Sequence, residues 1–202
     1  MKLLVFAGST RLNSWNRKLA AVTASIARDM GAEVTHLELG DFDVPMYNAD
    51  LEARGTPEPV LKLKQIAYEH PAWIICTPEY NASYPALLKN TLDWISSPVP
   101  GDPVWKDGFR SSRGKVVGVL SASPGALGGL RSQSHLVPLL FNLECWVAPA
   151  PFGLARAADA FDAAGALVDP AARKKVAGVI ERVLWAALRL NSESAANQCQ
   201  PS

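Results

Sequence analysis

Five short apolar runs, each followed by a stretch with helical spacing or a helix start, constrain this chain more than any other feature. Residues 2–7 form a β-rich run, and Trp15, Leu19, Val22, Ile26 and Met30 then recur on one helical face up to Gly31. Residues 33–39 alternate as a second strand. Thr56 and Pro57 open a helix with Val60, Leu63, Ile66 and Ala67 on one side, and Pro71 stops it. Residues 72–76 are continuously apolar, as expected of a central parallel strand buried on both faces. Ser83 is the expected cap of the next helix, with Pro85 in its first turn and Leu88, Leu92 and Ile95 as its stripe. Residues 115–120 read as strand four, 130–143 as a helix containing Pro138, and 145–147 as strand five. Asp169 and Pro170 begin a last helix through Val176, Ile180, Val183 and Ala187. Strands alternating with helices in this way demand a parallel sheet with right-handed crossovers and helices on both faces.

The 202 residues suit one domain, 1–190, followed by a polar tail, 191–202, expected to be disordered. Two connections, 40–55 and 97–113, exceed the usual length. Twenty Lys plus Arg against nineteen Asp plus Glu give no basic surface for nucleic acid or an anionic membrane. No apolar run approaches the roughly 20 residues of a membrane helix. Cys76, Cys145 and Cys199 form no C-x-x-C pair, which points to reduced thiols and a cytoplasmic setting. His36, His70 and His135 lack metal-ligand spacing and read as surface or packing residues.

In an open parallel sheet the chemistry sits beyond the C-terminal strand ends. Three loops leave such ends. Residues 8–14 carry Ser9, Thr10, Arg11 and Ser14, with Asn16 just beyond, at the start of a helix. Short hydroxyls, a guanidinium fork and free helix N–H groups together make a phosphate cradle, although Ser and Asn are also ordinary helix caps. Neither a Walker loop nor a G-x-G-x-x-G turn is present. Residues 77–83 read Thr-Pro-Glu-Tyr-Asn-Ala-Ser, a turn that can offer backbone polar groups and an aromatic face to a flat ligand, or serve only as a strand–helix turn. Residues 121–129 are rich in Gly and Ser, which permits either close backbone approach to a ligand or a flexible turn.

In this order the three loops resemble the NADPH-dependent FMN reductase family, which includes chromate- and quinone-reducing members. The family pattern G-S-x-R-x-x-S-x-N-x-x-L-A is matched from Gly8 through Ala20. P-E-Y-N is matched by Pro78 to Asn81, and L-K-N-x-x-D-W by Leu88 to Trp94. S-x-S-P-G-x-x-G-G is matched by Ser121 to Gly129. The resemblance implies a flavodoxin-like three-layer α/β sandwich with a five-stranded sheet in the order 2-1-3-4-5. It implies that Ser9, Arg11, Ser14 and Asn16 hold the FMN phosphate. Pro78, Glu79, Tyr80 and Asn81 would line the isoalloxazine, and Ser121, Ser123, Gly125 and Gly128 would close its other edge. The implied activity is hydride transfer from NADPH or NADH to bound FMN. Electrons then pass to a quinone, flavin, azo or metal-oxyanion acceptor by ping-pong cycling, with no catalytic side chain required.

Glu79, the one carboxylate in these loops, reads as a turn residue. No acidic residue follows strand two in the position that a Rossmann fold uses for the adenosine ribose, so the nicotinamide is expected over the flavin face. The resemblance also implies a homodimer or homotetramer associating through the helix face Lys89–Trp94, where Trp94 reads either as a surface residue of that contact or as a half-buried core aromatic. The competing class is a flavodoxin-type electron carrier. Flavodoxins lack the loop arginine and are strongly acidic, whereas this chain has Arg11 and a net charge near +1.

Overall fold

The structure, a computed structural model, describes residues 1–197. In chain order it contains β1 (Lys2–Ala7), α1 (Trp15–Asp29), β2 (Glu33–Leu37), α2 (Ala49–Ala53), α3 (Glu58–Glu69), β3 (Ala72–Thr77), α4 (Ala86–Ile95), β4 (Val116–Ala122), α5 (Leu130–Asn142), β5 (Trp146–Val147), β6 (Phe152–Leu154) and α6 (Pro170–Asn197). The sheet is parallel throughout and runs β2-β1-β3-β4-β5, with β6 also pairing β4. This is the flavodoxin-like order expected from the sequence.

The period-two alternation of each strand divides the core into two layers. Leu3, Val5, Ile74, Cys76 and Leu120 pack under α1 and α6. Leu4, Phe6, Trp73, Ile75 and Val119 pack under α3, α4 and α5. Gly118 lets α6 lie close on β4, because a Cβ there would meet Val183 and Val179 at 2.8 and 2.9 Å.

The fifth strand position is filled by two pieces. Val117 pairs with Val147 and Leu120 with Phe152, so the outer chain advances five residues while β4 advances three. The surplus falls at Ala148–Pro151. Pro149 and Pro151 offer no N–H to the ladder, and Ala150 has φ +56. The sequence reading stopped at the first piece because those prolines hide the second.

Other boundaries also shift. Ser83 does not cap α4; Pro85 occupies that position, and Ser83 instead closes a tight turn. β2 ends at Leu37, so Glu38 does follow strand two, where Arg17 Nε holds it at 2.9 Å. The last helix runs past Asn191 to Asn197; the disorder expected of residues 198–202 lies outside the described residues.

Of the two readings of Trp94, the structure overturns the surface one and places the residue in the core. Its side chain is fully buried, its Nε1 donates to Pro45 O at 2.8 Å, and Tyr47 packs edge-on at 5.0 Å. Asn90, one turn earlier, donates to Pro45 O and accepts from Tyr47 N. The long connection 40–55 is thus pinned to α4 from within the subunit. Its partner, 97–113, is held by Trp105, edge-on to Tyr68, and by Lys64. The Lys64 ammonium donates to Ile95 O at 3.1 Å and to Ser97 O, satisfying carbonyls at the end of α4. Neither loop needs a neighbour to hold its shape.

Burial pushes the Lys64 and Lys115 ammonium groups down to about 8. It pushes the Cys145 thiol up to about 12 and the Cys76 thiol up as well. Above pH 8 the folded lysines release protons that the unfolded chain still holds, so stability rises. Above pH 9 the unfolded thiols release protons that the folded chain retains, which opposes the rise. Denaturant midpoints should therefore climb from pH 7.5 to 9, by on the order of 1 kcal/mol, and then level off. A flat profile below pH 9 would contradict the burial of these two ammonium groups.

Candidate functional site

The three loops singled out in the sequence converge at the C-terminal ends of β1, β3 and β4, where the winding of the sheet reverses. They enclose a cleft of about 400 Å³, within the usual range for small-molecule sites. Arg11, Ser14, Trp15 and Asn16 form its first wall. Pro78, Glu79 and Tyr80 form the second, and Ala122, Ser123 and Pro124 the third.

The first loop leaves β1 through Gly8, whose N–H donates to Cys76 O. Ser14 has extended backbone angles and caps α1, accepting from Arg17 N at 3.5 Å. No acidic residue occupies the first turn, so the positive end of the helix dipole is left uncompensated. Ser9 is buried and accepts from Arg11 N at 3.4 Å, which shapes the loop from inside. Among the described residues the Arg11 guanidinium makes no ion pair; it lies over the Trp15 ring at 5.3 Å. Trp15 is a wall residue that the sequence reading missed, because its spacing placed it first in the buried stripe of α1.

Asn16 ties the first wall to the third. Its Nδ2 donates to Ala122 O and its Oδ1 accepts from Ala122 N, both at 2.9 Å and fully buried. One carboxamide thereby completes the last residue of β4 from a helix more than a hundred positions away in sequence.

The second loop is a two-residue reverse turn. Tyr80 and Ser83 exchange backbone hydrogen bonds, at 2.9 and 3.0 Å. The central residues Asn81 and Ala82 have φ of +50 and +65, the pattern of a type I′ turn. Asn tolerates this conformation, but alanine there costs roughly 1–2 kcal/mol. Asn81 is exposed beyond the cleft wall, and Tyr80 is half exposed at its mouth. The Glu79 carboxylate turns to α5, accepting from Arg131 N at 3.1 Å and from Arg131 Nε at 2.7 Å.

In the third loop, Ser123 lies on the wall and orders the loop by accepting from Gly125 N at 3.2 Å. Ser121 is fully buried; its hydroxyl donates to Gly128 O at 2.5 Å and accepts from Gln133 Nε2. Gly128, at φ +60, packs on β6 so closely that a Cβ would meet Gly153 C at 2.7 Å. Ser121 and Gly128 therefore support the loop from behind, and Gly125 is exposed at its tip.

Replacing Asn16 with alanine leaves both polar groups of Ala122 buried and unpartnered. Thermal or denaturant unfolding should show a loss of about 2–4 kcal/mol. A loss below about 0.5 kcal/mol would mean water or a neighbour replaces the carboxamide.

The cleft thus combines an uncompensated guanidinium and helix terminus with apolar and aromatic walls. The sequence profile of the NADPH-dependent FMN reductase family matches residues 1–159, which include all three loops. The chain is 34% identical over 188 residues to an NAD(P)H-dependent FMN reductase of Pseudomonas aeruginosa, covering 92% of this chain and 95% of that one. It is 36% identical over 168 residues to a quinone reductase of Pseudomonas putida, covering 82% and 83%. Among solved structures, the flavoenzyme NAD(P)H:(acceptor) oxidoreductase FerB of Paracoccus denitrificans superposes with a TM-score of 0.79 at 32% identity, over 93% of this chain and 97% of that one. Matched along most of its length by the family profile and by these relatives, the chain belongs to the NADPH-dependent FMN reductase family.

Proposed function

We propose that the cleft binds FMN and that the protein uses NADPH or NADH to reduce a small-molecule acceptor, a quinone foremost. The observation carrying this reading is the Arg11 guanidinium. Among the described residues it has no carboxylate partner, and it stands beside the open start of α1 in a cleft whose walls include Trp15, Pro78, Tyr80 and Pro124.

When bound, FMN supplies the ring that takes up hydride and passes electrons on. The chain supplies the rest. Arg11, Ser14 and the first N–H groups of α1 hold the phosphate, with Ser9 shaping the loop. Asn16 keeps this wall at a fixed distance from the third. Pro78, Glu79, Tyr80 and Asn81 support the ring largely through backbone groups. Ser123 and Gly125 border its far edge, while Ser121 and Gly128 hold that loop in form. NAD(P)H and acceptor take turns on the open side, a ping-pong order in which azo compounds, free flavin and metal oxyanions are further candidate acceptors. Glu38, engaged by Arg17, leaves nucleotide choice to contacts at the cleft mouth, and the resemblance favours NADPH. No helix among the described residues is long and apolar enough to cross a membrane; a cytoplasmic setting is proposed from the cysteines, which form no C-x-x-C pair.

Arg11→Ala should raise the FMN dissociation constant about tenfold or more, the usual worth of a charge-assisted phosphate contact, with little change in unfolding temperature. Flavin-fluorescence titration measures the first and a thermal melt the second. Wild-type protein that consumes NADPH only in the presence of FMN and a quinone supports the enzyme. Protein that binds FMN but shows no turnover with any acceptor would favour the electron carrier.

Association into a homodimer or homotetramer rests on the sequence resemblance. With Trp94 internal, the large exposed apolar side chains suited to a second copy include Leu130, Phe141 and Trp146 on α5 and β5. Light scattering should give a mass above the 21.7 kDa of one chain, reduced by Phe141→Asp. A monomer at assay concentration would remove the proposal.

A further inference from the structure

Helix α5 grips both ends of the strained turn that forms the second wall. At the start of the turn, Glu79 accepts from the backbone and side chain of Arg131. Past its end, Ser83 Oγ lies 3.1 Å from His135 Nδ1. Arg131 and His135 stand four residues apart, on one face of α5. Between the two grips lie Asn81 and Ala82, both in the left-handed region.

The grip on Glu79 serves two further ends. The N-cap position of α5 is Gly129, which has no side chain to accept from the helix N–H groups, and Glu79 fills that need from another loop. Glu79 is also the one carboxylate on the cleft wall, with its side chain only 9% exposed. Left unpaired, it would repel an anionic ligand from close range. Because α5 begins directly after the glycine-rich loop, the second and third walls are joined through Arg131.

We propose that Arg131 and His135 are positioning residues, a two-point clamp from α5 that holds the left-handed turn 80–83 against the ligand cleft and neutralises Glu79. The ligand side of this inference rests on the FMN reading; the clamp itself is a property of the free protein. Arg131 itself neither lines the cleft nor enters the core, and its backbone bond to Glu79 survives replacement of the side chain.

The test uses Arg131→Met, Arg131→Lys and His135→Ala, each with and without Ala82→Gly. Glycine accepts the left-handed conformation without strain, so a turn containing it depends less on the clamp. In the apoprotein, amide exchange across residues 79–84 should quicken about tenfold in Arg131→Met, and less in Arg131→Lys and His135→Ala. The FMN dissociation constant should rise in the same order. Ala82→Gly should recover at least about threefold of both losses in the Arg131→Met background while changing wild-type protein little, a coupling that independent sites do not produce. Exchange and affinity within twofold of wild type in Arg131→Met, or equal effects of Ala82→Gly in both backgrounds, overturn the clamp. Wild-type protein that takes up no FMN overturns the reading of the cleft, and the exchange data still decide the clamp.

Discussion

The cleft exists because one buried carboxamide joins elements that the sheet alone would leave independent. β1 and β4 are not neighbours; β3 lies between them. The loop leaving β1 and the loop leaving β4 could drift apart without unravelling a strand. Asn16 prevents this by matching the N–H and C=O of Ala122 at once. Both bonds are shielded from water, where an unmatched partner costs most. The geometry needs a side chain with a donor and an acceptor on one planar group, at the first turn of α1. Aspartate lacks the donor, and serine cannot span both atoms.

Around that fixed frame, the polar interior is spent on holding loops. Lys64, Asn90, Trp94 and Trp105 each bring a polar or aromatic group into the layer beneath the two long connections. Buried ammonium groups are costly, and Lys64 and Lys115 bear this as lowered proton affinity. Their compensation is directional. Lys64 donates to the carbonyls of Ile95 and Ser97 at the end of α4, and Lys115 to that of Tyr68 at the end of α3. These two lysines brace the edge of the sheet where β3 and β4 begin, opposite the cleft, and the cleft loops are left to be shaped by other contacts.

The fold was largely legible because parallel strands buried on both faces write continuous apolar runs, and α1, α3 and α6 write regular stripes. The same periodicity told only half of Trp15, which begins the stripe of α1 and packs half-buried against the core while also standing on the cleft wall. It left Trp94 undecided between surface and core, since nothing in the local pattern reveals that Pro45 and Tyr47 cover it from forty-odd residues away. The second piece of the outer strand was hidden by its own prolines. Motif order brought the three loops to one cleft, but residue type alone did not separate wall from support. Ser123 and Ser121 look alike in sequence; only the direction of their hydroxyls, one at the cleft and one into the Gly128–Gln133 network, distinguishes them.

Glu79 illustrates how a cleft suited to an anion can carry a carboxylate. A nearly buried carboxylate is tolerated only with a cation and more than one donor beside it. Arg131 supplies a forked guanidinium and its own N–H from a helix start, a geometry that lysine cannot reproduce. The oxygens of the acid are turned to α5, where they act as structural acceptors. Its placement also explains why the turn beyond it can remain in an unfavourable conformation. The backbone entering Tyr80 is fixed by an ion pair, and the backbone leaving it is fixed by Ser83 and the Pro85 start of α4. With both ends determined, the two residues between them have only the left-handed turn to close the gap, and the phenol of Tyr80 is thereby presented at the mouth of the cleft.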